Sequence, residues 1–315
     1  MTVLFHDPLF QTHQTGSHPE CAQRLQAIAT KLEQTKLLAR CQPGRLRAAS
    51  VEEVARLHDR NYIASVAEFA TAGGGRIESD TVVSRHSYDV AMTASGAALA
   101  AVDDVLTGRD WTALCLIRPP GHHALPKSAM GFCLFNNVAL AAEHALRVHD
   151  LERVLIVDWD VHHGNGTQDV FYERDDVYFF SSHRSPFYPG TGAADETGTG
   201  AGLGATFNLP LAFGTPRKDF LSRFERMLTD AAARCRPQLV LLSAGFDAHR
   251  DDPIGSLGLE TEDFVRLTNC VQDVAREYCG GRVVSLLEGG YNVSALADCV
   301  AVHLEQLLGE TSPDA

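Results

Sequence analysis

The stretch that most limits what this chain can fold into is Val154-Leu155-Ile156-Val157, which stops abruptly at Asp158-Trp159-Asp160-Val161-His162-His163-Gly164-Asn165-Gly166. An unbroken apolar run of this length fits a strand buried on both faces, and such strands belong to parallel sheets covered by helices. Acid and imidazole follow at the point where the strand leaves the core. Alternate side chains of extended backbone share a face, so Asp158, Asp160 and His162 are expected on one side. Turn formation explains Asp and Gly after a strand, but not two carboxylates two residues apart with histidine behind them. Their mutual repulsion asks for a cation.

The rest of the chain repeats the alternation. Strands are expected at 111–117, 153–157, 177–180, 239–242 and 283–287, with helices near 138–148, 262–278 and 294–308. Earlier, a helix is expected through 21–28 with apolar positions continuing at Leu32, Leu37 and Leu38, entered by His18-Pro19-Glu20, and another spans 91–106. Pro and Glu suit a helix entrance. The fold class is α/β: a single domain over 1–315, with a mainly parallel sheet flanked by helices on both faces and ligands beyond the carboxyl ends of its strands.

Four strand exits carry glycine beside reactive side chains: Arg118-Pro119-Pro120-Gly121-His122-His123, the opening stretch, Ser243-Ala244-Gly245-Phe246-Asp247, and Glu288-Gly289-Gly290-Tyr291-Asn292. Each has an ordinary reading, as a helix cap, a surface histidine or a packed tyrosine. Their convergence on one sheet edge favours a site, with Asp247 as a third metal ligand. The glycine-rich run Gly198, Gly200, Gly202 and Gly204 precedes a strand-like 205–209 instead of opening a helix, so dinucleotide binding is not expected.

Charge narrows the partners. With 27 Lys and Arg against 40 Asp and Glu, the net charge is −13, which opposes direct nucleic-acid binding and suits a cationic substrate. No stretch is long and apolar enough to span a membrane, and the N-terminus lacks a basic start and an apolar segment, so a cytoplasmic protein is expected. The eight cysteines show no CxxC pairing, which points to reduced, packed thiols.

These ordered motifs, together with His18-Pro19-Glu20 and Arg24, Gly131-Phe132-Cys133, Phe135-Asn136-Asn137 and Tyr188-Pro189-Gly190-Thr191-Gly192, resemble the histone deacetylase superfamily, specifically its class II branch and bacterial relatives, from about His18 to Asn292. The resemblance implies the arginase/deacetylase-like fold and one catalytic Zn2+ per chain on Asp160, His162 and Asp247. It implies tandem catalytic histidines, His122 backed by Asp158 and His123 backed by Asn165, with Tyr291 contacting the substrate carbonyl. Gly131, Phe132, Tyr188 and Ile254 would meet the acyl-lysine stem, and Arg24 is similar to the arginine beside an internal acetate channel. Backbone around Asp158, Asp160, His162, Ser181 and Ser182 resembles a structural K+ site. Cys21 stands alone and Arg76 occupies a later Cys position, so the second, structural zinc of one subgroup is not expected.

The residue chemistry agrees with that implication. Three protein ligands leave a zinc ion an open position for hydrolysis. Neutral Asn165 favours a neutral His123 as general base, while Asp158 favours a cationic His122. The expected reaction is hydrolysis of N-acetyl-lysine, in a protein or peptide, to amine and acetate. The alternatives are an acetylpolyamine amidohydrolase and a catalytically idle acyl-lysine binding protein. Polyamine specialists carry an acidic residue where Ile254 stands, which favours lysine. The ligand set also admits iron(II) or cobalt(II). A homo-oligomer is compatible with the sequence, and no role is expected for His163, His183 or His249 beyond hydrogen bonding or surface placement.

Overall fold

A computed structural model describes residues 1–309, so residues 310–315 of the expected 1–315 domain lie outside it. The strands are β1 (Thr2–Phe5), β2 (Gln42–Pro43), β3 (Gly75–Arg76), β4 (Val82–Val83), β5 (Thr112–Cys115), β6 (Val154–Asp158), β7 (Val177–Arg184), β8 (Thr206–Leu211), β9 (Leu239–Ala244) and β10 (Val283–Leu287). The α-helices are α1 (Gln23–Gln34), α2 (Val51–Val54), α3 (Arg60–Thr71), α4 (Ser87–Leu106), α5 (Asn137–Val148), α6 (Asn165–Phe171), α7 (Arg217–Cys235), α8 (Thr261–Cys279) and α9 (Val293–Leu308).

Eight strands form one sheet in the order β2-β1-β5-β10-β9-β6-β7-β8, and every neighbouring pair is parallel. All residues of β5, β6, β9 and β10 are buried. Helices α4 and α9 both contact β1 and β5, α1 and α8 pack on α9, and α4 packs on α5. The sheet is therefore covered by helices, as its unbroken apolar strands require.

Three expectations change. Helix α1 begins at Gln23 and ends at Gln34, so Leu37 and Leu38 are not on it; Lys36 has φ +60°, which turns the chain into a separate short 3-10 turn at Leu38–Arg40. Strand β1 and helix α7 are not among the expected elements, although Phe220, Leu221, Phe224, Leu228 and Ala231 recur at helical spacing and are buried.

The third change concerns Glu20. It lies three residues before α1 and is wholly buried, so it does not serve as a charge at a helix entrance. Its carboxylate accepts from Arg24 Nη1 (3.1 Å) and Arg118 Nη2 (2.8 Å), with Arg118 Nε also on Oε1, and both arginines are wholly buried. Arg118 continues to the Phe10 carbonyl (3.0 Å), and Arg24 Nε to the Gly290 carbonyl (2.7 Å). One carboxylate thus ties the N-terminal segment to the exits of β5 and β10.

Removing one member of a buried ionic group leaves uncompensated charge behind. Glu20→Ala is expected to cost about 3–5 kcal/mol in urea unfolding. Burial opposes ionisation of Glu20, yet Arg118 and His13 hold its carboxyl well below the usual range. Its contribution is therefore complete above the unfolded-chain value of about 4.3 and is lost as pH falls toward the folded value. The stability gap between wild type and Glu20→Gln should narrow in acid.

Candidate active site

The four motif-bearing exits follow β5, β10, β9 and β6, which are adjacent in the sheet although they come from chain positions far apart. Strand β6 ends at Asp158, so the residues after it leave extended geometry and turn back over the sheet edge. Asp158 consequently does not share a ligand face with Asp160 and His162. Its Oδ2 accepts instead from Nδ1 of His122 (2.9 Å), and its Oδ1 from the Asp160 amide (3.0 Å).

Asp160, His162 and Asp247 converge with all three ligand atoms within 4.8 Å of one another, and all three residues are buried. His162 Nδ1 lies 2.9 Å from Asp160 Oδ1 and 3.1 Å from Asp247 Oδ2. One N–H can serve only one of these oxygens, and Asp247 Oδ2 is left buried without a hydrogen bond. The other oxygens are occupied: Gly289 N donates to Asp160 Oδ2 (2.8 Å) and Val161 N to Asp247 Oδ1 (2.9 Å). An orphaned buried carboxylate oxygen facing an imidazole nitrogen and a second carboxylate is a site that demands a cation. The donor set, two carboxylates and one imidazole, fits zinc with a position left open. A Cβ on Gly289 would overlap Asp247 Oδ2, so only glycine lets that backbone approach.

The charge distribution follows from the same packing. Burial opposes a charged His162, but Asp160 and Asp247 push it up to about 10, the proton occupying the place of a cation. Burial, reinforced by the Asp160 charge, pushes Asp247 up to about 7.

His122 and His123 lie side by side, ring centroids 4.0 Å apart and planes tilted by 41°, but their surroundings differ. Burial opposes charge on His122, and Asp158, Asp160 and Glu288 outweigh it, holding His122 well above its ordinary value. His123 Nδ1 donates to Asn165 Oδ1 (2.7 Å). Burial, then the charges of His122 and His162, hold His123 well below its ordinary value. Glu288 anchors the loop that carries both rings, accepting from the Gly121 amide (2.7 Å) and from Ser243 Oγ (3.1 Å).

A pocket of about 210 Å³ opens above these groups, lined by Gly131, Phe132, His123, His162, Phe187, Tyr188, Ile254, Tyr291 and Asp80. Gly131 takes φ +56°, and a Cβ there would overlap the His123 ring. Phe132 also has positive φ, +71°, a strained conformation for a bulky residue. It is held by its amide on Thr81 Oγ1 (3.1 Å), by His18 edge-on at 4.4 Å and by Tyr291 at 5.7 Å. Tyr188 meets His123 edge-on at 5.4 Å. Burial, then the carboxylates of Asp247 and Asp160, keep the Tyr291 phenol well above its ordinary value, so it remains a hydrogen-bond donor.

Asp80, Phe187 and Glu288 are absent from the expected site. Phe187 lies flat on His162, 5.2 Å away at 16°. Its only sequence signal is adjacency to Tyr188. Asp80 comes from the loop between β3 and β4 and lines the pocket, its carbonyl held by His18 Nε2 (3.0 Å) and its amide by Glu78 Oε2 (3.2 Å). Arg24 sits behind Tyr291, its guanidinium carbon 5.2 Å from the ring centroid.

The remaining histidines stay outside the pocket lining. His163 bonds Thr191 Oγ1 (2.7 Å) and Gln168 Oε1 (3.1 Å), and His183 bonds Ser181 Oγ (2.9 Å) and the Gly192 carbonyl (2.9 Å). His249 is buried and accepts from the Asp251 amide (3.2 Å). A second group, Asp103 with His144 and His149, is closed on itself. Both Nε2 atoms lie 2.7 Å from Asp103 Oδ1, and His144 Nδ1 has no partner to carry the ring proton that a metal-bound imidazole needs. Burial opposes its charge, but hydrogen bonds from the two imidazoles hold the Asp103 carboxyl below its usual range. All eight cysteines are free. No helix among the described residues is long and apolar enough to cross a membrane.

Comparison with known proteins adds an independent line. The family model described as "Histone deacetylase domain" matches residues 18–307. Histone deacetylase 14, chloroplastic, of Arabidopsis thaliana is 40% identical over 95% of this chain and 75% of its own length. The histone deacetylase-like amidohydrolase of Pseudomonas aeruginosa is 37% identical over 99% of this chain and 87% of its own. Human polyamine deacetylase HDAC10 is 39% identical over 99% of this chain, which spans 48% of it. The crystal structure of the HDA15 HD domain superposes on the whole chain, covering 89% of the solved one, with TM-score 0.91 and 37% identity. With its parallel sheet, its converging exits and a family match over nearly all of its length, this chain belongs to the histone deacetylase family of hydrolases.

Proposed function

We propose that this chain hydrolyses the amide of an N-acetylated lysine side chain in a protein or peptide, with a zinc ion on Asp160, His162 and Asp247. What carries the reading is the pair of adjacent histidines, His122 on the Asp158 carboxylate and His123 on the Asn165 amide, beside an aromatic pocket and a ligand group with an orphaned carboxylate oxygen. A tunnel walled by Phe132, Phe187 and Tyr188 suits an aliphatic stem that carries an acylated nitrogen at its end.

Bound zinc would supply Lewis acidity, polarising the carbonyl and acidifying water. The protein supplies the rest. His123, neutral and oriented by Asn165, accepts the proton of the attacking water and returns it to the departing nitrogen as the C–N bond breaks. His122, kept cationic by Asp158, stabilises the negative charge that develops on the acyl group. Tyr291 donates its hydroxyl to the carbonyl oxygen as that oxygen becomes an oxyanion. Acetate and the free amine leave.

A structural K+ site near the ladder pair Asp158 and Ser181 is part of the same proposal. The buried Ser182 Oγ without a partner supports an ion there.

One observation favours a second reading, acetylpolyamine hydrolysis. Ile254 lines the pocket, but so does the carboxylate residue Asp80, so the mouth is not purely apolar. A second ammonium group on the substrate would find a partner there. Assaying an acetyl-lysine peptide against an acetylpolyamine, with and without chelator, separates the readings. Binding of either without turnover would identify an idle binding protein instead.

Tyr291→Phe is expected to lower kcat about a hundredfold or more with zinc content unchanged. His123→Ala should lower kcat by about 10²–10⁴; unaltered turnover would sink the general-base role. Chelation should abolish activity and added zinc restore it. Asp247→Asn should cut the zinc retained after dialysis, as read by elemental analysis.

A further inference from the structure

The carboxylate of Asp252 is buried and spends all its bonds on backbone amides. Oδ2 accepts from Tyr291 N (2.7 Å) and Asn292 N (3.2 Å), while Oδ1 accepts from Ile254 N (2.9 Å) and Gly255 N (3.0 Å). One side chain therefore joins two segments about forty residues apart: the exit of β10, which carries Tyr291, and the pocket-rim loop, which carries Ile254. The join is reinforced by Asn292 Nδ2 on the Asp251 carbonyl (2.9 Å).

Four donors and no acceptor surround this group, so only an acceptor-only side chain satisfies them all. A carboxylate has two oxygens and about four lone-pair positions, and charge strengthens each bond. An amide of the same shape offers one oxygen and would turn its NH2 toward two N–H groups. The preceding Gly290 has φ +123° and no side chain to resist rotation, so the peptide leading into Tyr291 is fixed by its own bonds, the carbonyl by Arg24 Nε (2.7 Å) and the amide by Asp252 Oδ2 (2.7 Å).

We infer that Asp252 is a positioning residue that sets the Tyr291 hydroxyl and the Ile254 rim in register, so that the substrate stem and the oxyanion donor are placed together. The inference rests on the assignment of Tyr291 as the oxyanion donor. Asp252 belongs neither to the pocket lining nor to the ligand group. It acts through backbone that carries groups lining the pocket, where a misplacement of about 1 Å costs about a hundredfold in rate.

The test is a double-mutant cycle on the zinc-loaded full chain, using whichever acetylated amine the wild type turns over. Asp252→Asn is expected to lower kcat at least tenfold and raise KM, with zinc content unchanged. Asp252→Asn combined with Tyr291→Phe should be no more than about twofold slower than Tyr291→Phe alone, because both remove the same contact. A purely structural role predicts losses that multiply, and that result overturns the inference, as does an Asp252→Asn enzyme with wild-type kcat and KM. If Asp252→Asn does not fold, Asp252→Ser, whose hydroxyl still accepts from one segment, replaces it in the cycle. Failure of both to fold or to hold zinc would make Asp252 a keystone of the fold and overturn the positioning role. A wild type inactive on every acetylated amine would instead overturn the functional reading itself.

Discussion

Negative charge buried at the carboxyl end of a parallel sheet is the constraint on which the rest of this structure depends. Asp158, Asp160, Asp247 and Glu288 are all buried at the exits of three neighbouring strands, β6, β9 and β10. Isolated carboxylates in such surroundings would take up protons or open the fold. Each is handled differently. Asp158 is neutralised by His122, Glu288 by backbone amides and Ser243 near a cationic ring, and Asp160 by His162 and the Gly289 amide. Only Asp247 keeps a buried oxygen without a partner. The cation demand of the site is thus localised to one atom, and that atom faces the other two ligands.

The order of strands makes this possible. Along the chain the exits come as β5, β6, β9 and β10; across the sheet they stand as β5, β10, β9 and β6. Inserting β10 beside β5 brings Glu288 under the His122 loop and Tyr291 over the pocket. Behind them, Glu20 accepts from both Arg24 and Arg118 and so fixes the N-terminal segment to the same two exits. The site is held from both sides of the sheet edge, with little room for its loops to drift.

Within that frame two neighbouring histidines are pushed in opposite directions by their surroundings, His122 up by Asp158, Asp160 and Glu288, and His123 down by burial and the charges of His122 and His162. An Asp behind His122 and an Asn behind His123 are similar in shape, yet one partner is charged and the other is not. Burial penalises both cations in kind, and the carboxylates around His122, Asp158 first among them, favour charge on that ring. His122, once charged, further discourages protonation of His123. The pair works as a unit because the two are in contact.

Much of this was legible in the residues. The apolar runs of β6, β9 and β10 announced buried parallel strands, since only a sheet covered on both faces tolerates them, and the glycine-flanked acids and histidines marked where those strands end. The backing of His122 by Asp158 and of His123 by Asn165 entered with the family resemblance, and the chemistry of a carboxylate and an amide set the expected charge of each ring. What the sequence could not carry is anything that depends on which exits become neighbours. Periodicity reports the face of one element, not its partner, so the burial of Glu20 against Arg118, the approach of Asp80 to the pocket mouth, the Asp252 bridge to Tyr291 and the orphaned oxygen of Asp247 arose only when distant segments met. The chain by itself determined the fold class and the kinds of groups available. Tertiary packing decided which carboxylates found partners and which one kept an oxygen without any, because the cost of a buried charge is set by its three-dimensional neighbours.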